Sequence, residues 1–160
     1  MKRVFKLFFF PAFAALLLSQ TSCTDRNAII DQHNQVADHN WAYSNKFNFK
    51  VQIDDEKIPY NLYMNLRVTA DYKYSNMFVL ITRTNPDKKT KIRRYEIKLA
   101  NKAGEWLGTG SGNLYNYQLP FQTNYKFPTK GTYTFTIEQN MRDNPLHEVN
   151  DVGLRVEKAQ

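Results

Sequence analysis

The chain has one cysteine, six glycines and three histidines in 160 residues. A single cysteine makes no internal disulfide, no cysteine-based zinc cluster and no redox pair. The histidines, His33, His39 and His147, have no partners at metal-ligand spacing and are read as surface residues. No apolar run is long enough to span a bilayer. Leu7 to Leu18 has twelve residues, broken by Pro11, and rises about 18 Å as a helix against a hydrocarbon core of roughly 30 Å. A serine-centred elbow and a cysteine–histidine pair are missing too, which removes the common nucleophilic hydrolases. Aromatic residues make up 14% of the chain, including ten tyrosines and eleven phenylalanines, so a disordered chain is excluded.

This short apolar run has a different use. Lys2, Arg3 and Lys6 precede it and no acid does, which is the pattern of a secretory signal over residues 1–22. The lone cysteine, Cys23, follows directly, after the small residues Thr21 and Ser22, with Gln20 standing where an aliphatic residue is usual. That position predicts a lipoprotein: cleavage before Cys23 and a covalent lipid on its thiol, with no other cofactor and no metal. Each acyl chain adds about 0.8 kcal/mol per buried methylene, and two or three chains hold stably. Of the 22 basic residues, three lie in the signal, leaving 19 against 15 acidic ones and a formal net charge of +4 in place of +7. Export and this mild charge argue against nucleic acid and leave weak attraction to anionic lipid or glycan.

Residues 23–42 read as the lipidated cysteine and a polar tether, with Trp41 marking where packing begins. Residues 43–160 read as one domain. Phe47, Phe49, Val51 and Ile53 alternate with polar residues, as do Leu62, Met64, Leu66 and Val68. Tyr95, Ile97 and Leu99 repeat the pattern, followed by Tyr133, Phe135 and Ile137, and by Val152, Leu154 and Val156. A period of two means one buried and one wet face. Met77 to Ile81 is continuously apolar and predicts a central strand covered on both faces. Turn residues separate the runs at Asp54–Pro59, Asn85-Pro86-Asp87, Gly104, Pro128–Gly131 and Asn144-Pro145. The fold class is all-β: a single antiparallel β-sandwich of about seven to eight strands, immunoglobulin-like or jelly-roll-like.

Catalytic signals are thin. Gly108, Gly110 and Gly112 lack the lysine and spacing of a phosphate loop, and the segment 108–118 reads as a structured loop. Asp54, Asp55 and Glu56 sit in a turn and read as solvated, while Glu96, Glu138 and Asp151 lie in or beside strands. Glycoside hydrolysis needs two carboxyls roughly 5–10 Å apart, which a sequence does not reveal. The densest charge is Arg83, Lys88, Lys89, Lys91, Arg93 and Arg94 on one hairpin, a candidate contact surface for an acidic partner or a lipid surface. A second candidate contact surface comprises Trp106, Gly108, Gly110, Gly112 and Tyr115. Clustered tyrosines fit half-buried sandwich walls, or a stacking platform for sugars.

The ordered set Phe47-x-Phe49, Pro59-Tyr60-Asn61-Leu62-Tyr63, Asp71-Tyr72-x-Tyr74, Gly104-x-Trp106-Leu107-Gly108-x-Gly110-x-Gly112 and Asp151-Val152-Gly153-Leu154-Arg155 resembles the GldH family of gliding-motility lipoproteins of Bacteroidetes-type bacteria. The likeness runs over roughly residues 41–158, and a lipidated cysteine after a signal peptide also matches the family. It implies an envelope lipoprotein, facing the periplasm or the cell surface, that supports gliding and the linked type IX secretion machinery. Its expected partners are the bilayer, through the acyl anchor, and other gliding or secretion envelope proteins. The resemblance carries no catalytic residues, and the chain reads as non-enzymatic. A surface glycan-binding lipoprotein is the alternative.

Overall fold

The structure, a computed structural model, describes residue 25, residues 27–110 and residues 112–159. The expected signal segment and Cys23 lie outside the described residues. Ten strands follow one another: β1 (Ala28–Gln35), β2 (Asn40–Trp41), β3 (Phe47–Ile53), β4 (Tyr60–Thr69), β5 (Asn76–Thr84), β6 (Thr90–Lys98), β7 (Leu114–Tyr125), β8 (Gly131–Gln139), β9 (Leu146–His147) and β10 (Val149–Lys158). A single 3-10 turn, Ala37–His39, is the one helical element among the described residues.

Eight long strands form two four-stranded antiparallel sheets, ordered β1-β10-β4-β7 and β3-β8-β5-β6, while β2 and β9 make a short ribbon. The order has a simple origin. β5 pairs with β6, β4 with β7, β3 with β8, and β1 with β10. These pairs are nested, like one long hairpin turned at the β5–β6 connection and rolled so that successive pairs alternate between sheets. Lateral pairing of β10 with β4 and of β5 with β8 completes each sheet. This winding is a jelly roll rather than an immunoglobulin-like sandwich.

The core is built as the alternation requires. Leu62, Met64, Leu66 and Val68 face inward from β4, and Val152, Leu154 and Val156 from β10. Phe49, Val51 and Ile53 of β3 meet them from the other sheet, with Tyr133, Phe135 and Ile137 of β8. At one end Phe127 sits in an aromatic knot, its ring centroid 4.6 Å from Tyr133, 5.0 Å from Tyr125 and 5.4 Å from Tyr60. At the other end Trp41 is fully buried, and its indole Nε1–H donates to the Asn45 carbonyl at 2.7 Å.

Three expectations need correction. Residues 28–41 are not tether: β1 is an edge strand of the first sheet, and Val36 is already buried. The sequence hid β1 because only its first residues and Asn34 are even half-buried; it is held by its ladder with β10 rather than by an apolar face. Residues 114–118 belong to β7 and not to a loop. Finally, β5 is central but alternates in burial: Met77, Val79 and Ile81 face the core, whereas Phe78 and Leu80 are half-buried on the outer face. Phe78 is covered by the Arg94 guanidinium, 3.8 Å above its ring, and not by another layer.

The Phe127 knot gives a direct test of packing. Phe127→Ala is expected to cost about 3–5 kcal/mol, read as a lowered denaturant midpoint with an unchanged slope.

Candidate functional site

The two candidate contact surfaces do not merge. The β5–β6 turn lies at the end of the sandwich where Arg83 reaches Tyr125, the last residue of β7. The glycine loop lies where β6 ends and β7 begins, a strand length away, about 30 Å. Both flank one edge of the jelly roll, the edge where β6 and β7 each lack a second neighbour.

At the glycine loop, shape is the purpose. A Cβ on Gly108 would lie 2.7 Å from the Tyr117 ring, and one on Gly110 would lie 2.0 Å from the Leu114 carbonyl oxygen. Gly112 takes a left-handed φ of 72°. The loop is tied down by Thr109 N–H donating to Asn116 O at 2.9 Å and Asn116 N–H to Thr109 O at 2.7 Å. Trp106 stacks on Tyr115 with centroids 5.4 Å apart, both half-buried against the core, so neither presents a free platform. Tyr60, Tyr72, Tyr117 and Tyr133 are buried and only Tyr43 is well exposed, as sandwich walls demand. The Tyr117 hydroxyl donates to Leu99 O at 2.7 Å, and burial raises its phenol above the ordinary value.

The carboxylates stay apart. Glu96 accepts from Asn76 at 2.9 Å and Glu138 pairs with Lys46 at 2.8 Å, both on the outer face of the second sheet. Asp151 pairs with Arg67 at 3.2 Å on the outer face of the first. No two of these share a cleft. Asp54 and Asp55 are exposed as expected, but Glu56 Oε2 is buried with no hydrogen-bond partner, contrary to a fully solvated turn. Among the described residues, no three histidine, aspartate, glutamate or cysteine side chains converge as a metal set.

The basic hairpin divides into three groups. Lys88 and Lys89 stand at the turn, where Lys88 adopts φ 67° and Lys89 pairs with Asp87 at 3.1 Å. Arg94 lies on the outer face, over Phe78 and donating to Asn140 at 2.7 Å. Arg83, Lys91 and Arg93 line a groove between β6 and β7, together with Ile81, Tyr95, Phe121, Tyr125 and Phe135. This part holds about 100 Å³, and an adjoining apolar stretch of about 190 Å³ continues past Tyr95 to Ile97, Leu119 and Pro120. Arg83 donates to the Tyr125 hydroxyl and to Asn85 at 3.1 Å. The groove's aromatic partners were missed in the sequence, although Tyr115, Tyr117, Leu119 and Phe121 alternate. Pro120 and the glycines ahead of them masked that period.

The opposite edge carries an electrostatic latch. Arg155 of β10, only 13% exposed, bonds Asp31 at 2.9 Å and Glu157 at 2.6 Å, and also Asp25. Asp31 and Arg155 are register partners across the β1–β10 ladder. Beside them Gly153 is indispensable: a Cβ there would lie 2.5 Å from the Gln32 carbonyl oxygen. The Arg155 hydrogen bond, helped by the Asn27 N–H, holds the Asp25 carboxyl below the usual carboxylate range. A depressed folded value means stabilisation that is present above the unfolded value, about 3.9, and is lost as pH falls through the folded one. Asp25→Asn is therefore expected to lower the thermal midpoint at pH 7 and to leave it unchanged at pH values below both.

Comparison with known proteins supplies the family. The family model "GldH lipoprotein" matches residues 28–156, from the first residue of β1 almost to the end of β10. The chain is 32% identical over 166 residues to "Gliding motility lipoprotein GldH homolog" of Christiangramia forsetii, covering 99% of each protein. It is 30% identical over 152 residues to "Gliding motility lipoprotein GldH" of Flavobacterium johnsoniae, covering 91% of this chain and 92% of that one. No solved structure matches significantly. Matching the family model from β1 to β10, and two such relatives over nearly their whole length, the chain belongs to the GldH family of gliding-motility lipoproteins.

Proposed function

We propose that the protein is a non-enzymatic accessory component of the envelope apparatus that serves gliding and the linked type IX secretion machinery. Its work is to hold a docking domain at a membrane. The observation that carries this reading is the latch at the N-terminus. Asp25 is two residues beyond Cys23, and it is already bonded to Arg155, with Asn27 O accepting from Lys158 N–H at 3.0 Å. Two extended residues reach about 7 Å. A lipid on Cys23 would then hold the jelly roll against the bilayer with almost no slack, and Lys88 and Lys89, at the same end, would lie near the head groups. Such anchoring raises local concentration, so modest protein contacts suffice.

Further support comes from the separated carboxylates, each with its own partner on an outer face. The glycan reading gains nothing comparable, because Trp106 and Tyr115 stack on each other.

Deletion of the gene is expected to stop spreading on agar or to empty the medium of type IX cargo; normal behaviour on both counts would contradict the proposal. Cys23→Ser is expected to move the protein from the membrane fraction to the soluble one and to reproduce the deletion phenotype.

A further inference from the structure

The two edges of the jelly roll are not equivalent. On one side β1 and β3 approach each other and close the sandwich. On the other, β6 and β7 stand apart over the groove. β7 is protected as an edge: Pro120 removes a donor, and the register with β4 slips between Leu62 and Tyr63, which leaves Phe121 as a bulge. β6 has no such device. Its nine residues pair with β5 in an unbroken register from Thr90 to Lys98, with no proline and no bulge. Every second residue of such a strand directs its N–H and C=O away from the sheet.

The side chains of β6 restrict what can pair there. Lys91, Arg93, Tyr95 and Ile97 lie on the groove face in that order, two cations and then two apolar groups. Arg83 adds a third cation beside Lys91, its register partner. None of the three is in an ion pair among the described residues. On the outer face, Ile92 is 62% exposed. Cations on an edge stop two copies of that edge from pairing with each other. The same cations favour a strand of opposite charge, since specificity comes from repulsion as well as attraction.

We propose that β6 is the receptor strand for an extended acidic segment of a partner protein. The segment adds to the second sheet by β-augmentation. Its pattern is set by the groove: two acidic residues two positions apart, opposite Lys91 and Arg93, and two apolar residues two positions apart, opposite Tyr95 and Ile97. Groove volumes of about 100 and 190 Å³ fit the side chains of a strand and fall below the roughly 300 Å³ at which small-molecule sites begin. The groove lies on the edge opposite β1, three strand spacings or about 14 Å across the sheet from the strand that carries the latch. The proposal deepens the accessory reading by naming the chemistry of its partner. Peptide binding in vitro does not depend on the deletion phenotype, so either can fail alone.

The test uses the full-length lipidated protein in phosphatidylcholine nanodiscs and a fluorescent nonapeptide with that acid-and-apolar pattern. Saturable binding is expected by anisotropy, weakened at least about tenfold by the double substitution Lys91→Glu, Arg93→Glu. A peptide with lysines in place of its acids should bind that variant and not the parent, which also shows that the variant is folded. Amide resonances of β6 should shift on binding, and those of β3 should not. Absence of saturable binding, or binding indifferent to the charge reversal, overturns the proposal. So does binding of a short-chain phosphatidylglycerol in place of the peptide, which would assign the groove to lipid.

Discussion

Pairing of β10 with β1 on one side and β4 on the other is the constraint on which the first sheet depends. β10 supplies four fully buried apolar residues, Val149, Val152, Leu154 and Val156, and is itself the last of the described strands. β1 has almost no apolar face of its own and cannot stand without that ladder. Gly153 lets the two backbones approach, and Arg155 ties the junction to Asp25, Asp31 and Glu157. The first and last of the described strands are thus one structural unit. A lipid on Cys23 would act directly on the centre of the first sheet.

That closure gives the molecule two different sides. The β1–β3 side is shut, and the latch belongs to it. The β6–β7 side is open, with cations and aromatic rings along its groove. A lipid on Cys23 would place the attachment at one edge and leave the groove at the other, the arrangement that the proposed accessory role requires. Jelly-roll winding produces the arrangement without extra elements, because nested pairing puts β1 and β7 at opposite edges of the same sheet.

How much of this was legible in the sequence varied with burial. Strands with a clean buried face, such as Leu62–Val68 and Tyr133–Ile137, declared themselves by a period of two. β1 did not, because a strand held by its backbone leaves no apolar period. β7 was half-hidden, since Gly108, Gly110 and Gly112 set the character of the window and Pro120 argued against a strand, although an edge strand tolerates proline. The basic hairpin was visible as a cluster, but not its division into turn, outer face and groove, which requires the register with β5. Arg155 was visible only as the last residue of the Asp151–Arg155 motif; Glu157 is its neighbour on the same strand, but Asp25 and Asp31 reach it only through the pairing of β1 with β10.

The folded domain starts at β1, five residues beyond the cysteine, and not at Trp41 after a loose tether. Amide hydrogen exchange on the mature protein tests it most directly. If β1 is part of the sheet, alternate amides between Ala28 and Gln35 should exchange as slowly as their partners in β10. Exchange of Ala28–Gln35 at the rate of an unstructured chain, with β10 still protected, would contradict it.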